Sequence, residues 1–296
     1  MRTIFLSAML AAQFAHAEVT AAQRAAIDTG TAAKGTYTAA EDVYRVAFPR
    51  TDVAVTVDGR ALHPFQGLTS WAAFTPEGHG GQLMVMGDLV LFEDELNPVM
   101  SVALNGGLEV TALHNHFFYD SPRVMFMHIG GSGSAEKLAD AVGKAMEKVK
   151  EIRKANAKPT SAFGGGAIPA ANSIAAEPLD AILGVKGQSN SGMYKMAVGR
   201  PASMHGHTVG NQMGVNTWAA FAGSDEAAVV DGDFAMIESE LQNVLKTLRK
   251  ADINIVAIHN HMTHEEPQYV FLHYWGKGRA QDLARALKAA MDTQKK

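Results

Sequence analysis

Apolar and polar positions alternate in two distinct rhythms along the first half of the chain. Trp71–Phe74 and Leu83–Leu91 are dense in apolar and β-favouring residues and predict two strands. Glu93-Asp94-Glu95 then opens a helix, its acids placed where the helix dipole favours negative charge, and Asn105-Gly106-Gly107 closes it. A third strand starts near Glu109 and ends in His114-Asn115-His116, and a polar loop with Pro122 leads to a fourth, Val124–Ile129. From about Ser134 the rhythm lengthens: Leu138, Val142, Ala145 and Val149 share one side of a long amphipathic helix.

The same order is written a second time. Ala112-Leu113-His114-Asn115-His116 returns 145 positions later as Ala257-Ile258-His259-Asn260-His261. At that shift Pro122 meets Pro267, Phe126 meets Phe271, His128 meets His273, and Gly87-Asp88 meets Gly232-Asp233. Further upstream the register slips by two, so that Trp71-Ala72-Ala73-Phe74 meets Trp218-Ala219-Ala220-Phe221. A gap-free register from Gly87 to Met146 marks an internal duplication. Two tandem β-β-α-β-β-α units predict an α+β fold, mostly antiparallel sheet with helices packed on it. The expected division is 1–17 as a signal peptide, 18–154 as the first repeat, 155–178 as a Pro- and Gly-rich linker, and 179–296 as the second repeat. The Ala- and Thr-rich stretch up to about Thr38 predicts a short helix and coil.

Arg2, the apolar run Ile4 to Phe14 and Ala15-His16-Ala17 form a secretory signal pattern, with cleavage expected near Ala17. Periplasmic or secreted localisation follows as an expectation, and no later stretch is long enough to predict a membrane span. Only 19% of residues are charged and the formal net charge is −4, which gives no global pull toward nucleic acid. With no Cys in the sequence, thiolate zinc sites are excluded, and a metal would need His, Asp, Glu or Met.

Histidine supplies the candidate chemistry. Alternate residues of a strand share a face, so His114 and His116, like His259 and His261, point the same way roughly 6–7 Å apart and can share one divalent cation. The alternative is a polar strand end whose rings bond the adjacent loop. His128 and His273 are candidate third ligands. In a tight hairpin, however, position 128 lies opposite 110, leaving His128 roughly 13 Å from His114. Three arrangements escape that objection: non-neighbouring strands, a carboxylate ligand, or His128 serving the other repeat. Glu93, Glu95, Glu238 and Glu240 are the candidate carboxylates, and Asp120 and Glu265 lie in the loops after the tripeptides. Met84, Met86, Met125 and Met127 are largely replaced by aliphatics in the second repeat and read as core. His205-Gly206-His207, His63, His79 and His264 read as surface positions. Gly131-Ser132-Gly133-Ser134 reads as a strand-to-helix turn, matching no nucleotide fingerprint.

Gly87-Asp88-Leu89-Val90-Leu91, Asn97-Pro98-Val99-Met100, Val110 through His116, and Pro267 through Trp275-Gly276 resemble the LppY/LpqO family of bacterial proteins. That resemblance spans about Tyr44 to Met291 and implies export, some members being lipoproteins. This chain departs in lacking the lipid-modified Cys. Together these features lead to the expectation of a periplasmic protein with one or two His-rich divalent-metal sites, zinc foremost. It would be a metal-dependent hydrolase of a small-molecule or cell-envelope ligand, with Glu265 or Glu266 moving the proton. The alternative is a non-catalytic envelope binding or scaffold module whose His pairs are structural.

Overall fold

The computed structural model describes residues 18–78 and 80–294. Residues 1–17, which carry the leader expectation, and His79 lie outside them.

The first repeat begins with helix α1 (Ala21–Thr31) and strands β1 (Thr36–Thr38), β2 (Val43–Pro49), β3 (Val55–Val57) and β4 (Arg60–Leu62). It continues with β5 (Thr69–Pro76), β6 (Leu83–Phe92), α2 (Glu93–Asn105), β7 (Glu109–His114), β8 (Asp120–Ser121), β9 (Val124–Gly133) and α3 (Ala135–Ala155). The second repeat follows the same plan. It starts with α4 (Ala176–Leu183), β10 (Gln188–Asn190), β11 (Met193–Gly199), β12 (Ala202–Met204), β13 (His207–Val209) and β14 (Asn216–Gly223). It ends with β15 (Ala228–Ile237), α5 (Glu238–Lys250), β16 (Asn254–His259), β17 (Glu265–Glu266), β18 (Tyr269–Gly278) and α6 (Ala280–Met291).

The α+β class and the tandem duplication are as expected, and the repeated unit is longer than expected. It includes the opening helix and four strands before β5 or β14. The Tyr44 hydroxyl donates to Asp28 Oδ1 at 2.6 Å, and in the second repeat the Tyr194 hydroxyl donates to Asp180 Oδ1 at 2.8 Å, so even these flanks are copies. Helix α4 starts at Ala176, inside the stretch expected to be linker, because Pro178 is tolerated in a helix's first turn. Residues Gly130–Gly133 continue β9 to its pairing with Leu83, where a turn was expected.

Ten of the twelve strands of the main sheet pair only within their own repeat, while β7 and β16 also pair with each other. The order is β1-β2-β5-β6-β9-β7-β16-β18-β15-β14-β11-β10, antiparallel throughout. At its centre Leu113 of β7 faces Ile258 of β16. These two residues are repeat equivalents, so a local twofold axis passes between them. Both repeats therefore share one sheet and one continuous core.

Two reciprocal clamps reinforce the junction. Asn97 of α2 accepts from Ile255 N at 2.7 Å and donates to Ile255 O at 3.2 Å. Its counterpart Gln242 of α5 accepts from Val110 N and donates to Val110 O, both at 3.0 Å. Each side chain thus satisfies backbone groups of the other repeat beside a β-bulge, between Val110 and Ala112 in β7 and between Ile255 and Ala257 in β16.

Strand alternation sorts the side chains between two faces. Leu83, Val85, Leu89 and Leu91 of β6, with Leu113 and Met127, are buried in the core that also takes up the apolar stripes of the helices. On the other face, small sheets β4-β3-β8 and β13-β12-β17 cover one end of each repeat over Val90, Phe92 and Phe126, and over Ala235, Tyr269 and Phe271. Between these covers lies a band of open sheet. Met84 and Met86 sit on this open face, 38% and 58% exposed, and only Met125 and Met127 pack toward the core. The expectation that all four are core fill fails because Met84 and Met86 occupy the strand positions of opposite parity.

Candidate metal centre

The open band carries the histidines. Asp88, His128 and Ala112 lie directly opposite one another across β6, β9 and β7, and Asp233, His273 and Ala257 do so across β15, β18 and β16. His114 stands 5.1 Å, ring centre to ring centre, from both His116 and His128. In the second repeat His259 stands 5.0 Å from His261 and 4.9 Å from His273.

This placement corrects the hairpin arithmetic. Residues 115–123 leave the ladder and run past the small sheet, so no tight turn sets the register. The longer connection itself sets the register, pairing His114 with Phe126 and so His128 with Ala112, where a tight hairpin gives position 110; the bulge at Thr111 lies beyond that pair. His128 and His273 therefore flank the tripeptide of their own repeat, and do not serve the other.

The second cluster is drawn tightest. Donor atoms of Asp233, His259 and His261 all lie within 4.8 Å of one another. Asp233 is 2% exposed, and its Oδ1 is buried without a hydrogen-bond partner, as is Nδ1 of His259. Burial pushes the Asp233 carboxyl up to about 6, against the opposing pull of His273 and His261. Burial likewise lowers His259 to about 4, helped by its two neighbouring imidazoles, so it is neutral near pH 7 and one ring nitrogen keeps a lone pair to give.

His261 is the telling group. Its Nδ1 faces Gly214 O at 3.3 Å and its Nε2 faces Asp233 Oδ2 at 3.1 Å. A neutral ring carries one proton, yet both nitrogens look at acceptors. A second proton or a cation must sit between ring and carboxylate. His273 Nδ1 lies 3.1 Å from Gly232 O, a backbone partner that assigns the proton to Nδ1 and leaves Nε2 as an acceptor. Phenyl floors support the rings: His261 stacks on Phe271 at 3.5 Å and His116 on Phe126 at 3.3 Å.

Asp88 and Asp233 are the residues that reasoning on the histidines alone missed. Their signal was present, since Gly-Asp recurs in register. The glycine permits the crowding: a Cβ on Gly87 would stand 2.7 Å from Trp71 O, and one on Gly232 would fall on Trp218 O and the Tyr274 hydroxyl. The adjoining aspartates are each paired across strands with a tryptophan, Trp71 or Trp218, capped in turn by Arg45 at 4.1 Å or Lys195 at 4.2 Å.

The two clusters are separate. Their donors come from β6, β9 and β7, or from β15, β18 and β16, so they centre over β9 and β18. Those strands are three spacings apart, roughly 14 Å, where a two-metal clamp needs about 4 Å.

The family model described as Domain of Unknown Function (DUF1259) matches residues 25–148 and 177–293, regions that coincide with the two repeats. The chain belongs to this family. No curated protein matches this DUF1259 chain. Among solved structures it is similar to a double-ringed trimeric shell protein of the RMM microcompartment, at 9% identity and a TM-score of 0.20, over 75% of this chain and 86% of that one. A trimeric bacterial microcompartment shell protein, PduB, matches at 12% identity and a TM-score of 0.19, over 88% and 89%. Likeness at this level says nothing of what the DUF1259 chain does.

The glutamates expected as ligands hold the fold. Glu95 is fully buried, accepts from Phe92 N at 2.9 Å as a helix-capping residue, and pairs with Arg50 at 2.7 Å. Glu240 repeats this with Ile237 N at 3.1 Å and Arg200 at 2.5 Å. Glu93 and Glu238 are exposed at the first turns of α2 and α5, helices that pack on the sheet face opposite the histidines. Glu265 Oε1 accepts from Tyr269 N at 3.0 Å, and Asp120 Oδ2 from Val124 N at 2.7 Å, so both fix their loops. Glu266 is exposed on β17, in the small sheet. His205 and His207 flank Gly206 in an exposed turn, and His63 and His264 are exposed. Among the described residues, no helix is long and apolar enough to cross a membrane.

Proposed function

We propose that the second repeat binds a divalent transition metal, zinc before others, through Asp233, His259 and His261, and that the protein uses it outside the cytoplasm on a small or envelope-derived substrate. The observation that carries the reading is His261, whose two ring nitrogens both face acceptors while a buried, unpartnered carboxylate oxygen and an unpartnered imidazole nitrogen adjoin it. Imidazole and carboxylate donors without thiolate suit zinc.

Three protein donors leave a fourth coordination position toward the open face, and zinc bound there would bring the pKa of a water near 7. His273 is the residue placed to take that water's proton. Its Nδ1 is held by Gly232 O, so Nε2 is free to accept. Glu265, bound to the Tyr269 amide, gives way to it in this role. With a water so activated, the site would hydrolyse a small ester, amide or phosphate reaching the open band from solvent. The leader pattern of Arg2, Ile4 to Phe14 and Ala15-His16-Ala17, with the LppY/LpqO resemblance, supports export.

Elemental analysis of protein purified without an affinity tag, followed by chelation and zinc titration, tests the reading. At least one tightly held ion per chain is expected, lost in Asp233→Asn. No metal as purified and none taken up would overturn it, leaving Asp233 and His261 as a proton-sharing structural pair in a non-catalytic module. A metal-loaded protein inert toward small esters, amides and phosphates would remove the hydrolase part alone.

A further inference from the structure

We propose that the first repeat holds a second, independent site for a divalent transition cation, built from Asp88, His114 and His116 beside His128, and that it fills after the site in the second repeat. This rests on the metal reading of the second repeat and extends it to donors that the twofold axis makes equivalent.

The argument starts from the carboxylate. Asp88 is 9% exposed and its Oδ1 is buried without a hydrogen-bond partner, so a costly group has been retained where an apolar one would pack without penalty. It lies directly across from His128, as Asp233 does from His273. His114 brings its ring within 5.1 Å of both His116 and His128, and His116 rests on Phe126 as His261 does on Phe271. One Asp and three His, on the same three strands and the same face, therefore recur.

Comparison within the chain separates this from mere inheritance of a duplicated fold. Neighbouring positions on the open face have diverged. Met84 stands where the second repeat has Val229, Met86 where it has Asp231, and Gly130 where it has Trp275. The aspartate, the three histidines, the glycine before the aspartate and the phenyl floor are unchanged. A relic whose only remaining duty was the fold would have lost its buried acid and its exposed His116 as freely as those neighbours.

The divergence also orders the two sites. Asp231 and Asp233 are alternate residues of β15 and share the open face, so the second site has an additional carboxylate nearby. Met86 takes that place in the first repeat. Arg45 and Lys195, each stacked on its tryptophan, are matched between repeats and do not alter the balance. A divalent cation is attracted more strongly to the second site. Because the sites lie roughly 14 Å apart, each fills alone, with no bridging ligand.

Zinc titration of chelator-treated, tag-free full-length protein decides the matter, read by calorimetry and by competition with a chromophoric chelator. Two ions per chain are expected, in two steps differing at least several-fold in affinity. Asp88→Asn should lose the weaker step and Asp233→Asn the tighter one, with the double variant binding none. One ion per chain, lost in Asp233→Asn and untouched by Asp88→Asn, overturns this proposal and leaves the second-repeat reading standing. No binding at all removes both. Two ions with Asp88→Asn unchanged also overturns it, and loss of the tighter step in Asp88→Asn overturns the filling order. Should Asp88→Asn fail to fold, His116→Gln, at an exposed ring, reads out the same weaker step.

Discussion

Replacing Asp233 by asparagine should make the metal-free protein more stable while abolishing the tight metal site. In the apo protein the carboxylate is 2% exposed, with one oxygen unpartnered, and its pKa is raised to about 6 from 3.8. Because the folded state holds the proton more tightly, stability falls as pH rises from the unfolded value through the folded one. Above that window the ionised group costs about 3 kcal/mol, two-odd pKa units at 1.36 kcal/mol each. The amide introduced by Asp233→Asn carries no charge to desolvate, and its NH2 can donate to His261 Nε2. A gain of about 1–3 kcal/mol is therefore expected at pH 8, shrinking below about 1 kcal/mol at pH 4, where the native carboxyl is protonated anyway. Urea denaturation of chelator-treated protein at both pH values measures this, with zinc titration alongside. An Asp233→Asn protein that is less stable at pH 8, or whose advantage is the same at both pH values, would show that the carboxylate serves the fold.

Zinc affinity should fall steeply below about pH 6 as Asp233 takes up its proton, while His259, lowered to about 4, stays neutral through that range; calorimetry from pH 5 to 8 measures it, and a flat profile refutes it. Asn97→Ala leaves Ile255 N and O without the partners that Asn97 gives them, at a cost of about 2–4 kcal/mol, and should weaken zinc binding in the second repeat although Asn97 belongs to the first. Gly232→Ala should destabilise by about 3 kcal/mol or more in thermal unfolding, since its Cβ falls on Trp218 O and the Tyr274 hydroxyl. Glu240→Gln should lower stability by breaking the buried pair with Arg200, and should leave zinc stoichiometry unchanged.

Most of the central architecture was legible because the duplication keeps one register from Gly87 to Met146, and each strand or helix was therefore seen twice. Upstream, small insertions move the register to 150 residues at Tyr44 and Tyr194 and to 152 at Asp28 and Asp180, so the repeated helix and the outer strands lost that support. The histidine sites were half legible. Period-two reasoning put His114 and His116 on one face, but ladder arithmetic displaced His128 because the connection after His114 is not a tight hairpin and pairs His114 with Phe126. Asp88 and Asp233 escaped for a different reason. A buried aspartate within a strand runs against every propensity, and such a violation marks function only once its neighbours in space are known. The glutamates were attractive for the converse reason, since carboxylates at a helix start can serve a cap or a cation, and only the arrival of Arg50 and Arg200 decides for the cap.

The bulges also tie the two clusters, roughly 14 Å apart, into one braced sheet. The bulge at Thr111 separates the Ala112–His128 pair from Val110, whose amide and carbonyl are held by Gln242 of the second repeat. The matching shift at Val256 lies next to Ile255, held by Asn97 of the first. Each repeat thus holds the backbone at the bulge that adjoins the other's cluster. Cut apart, either half would expose β7 or β16 as an edge strand and leave a bulge whose backbone polar groups had lost their side-chain partners. The histidines would remain in sequence, yet the strand beside Ala112 or Ala257 would no longer be held from across the junction. The two His/Asp clusters thus share no residue, but the sheet that carries them is braced across the repeats at both bulges.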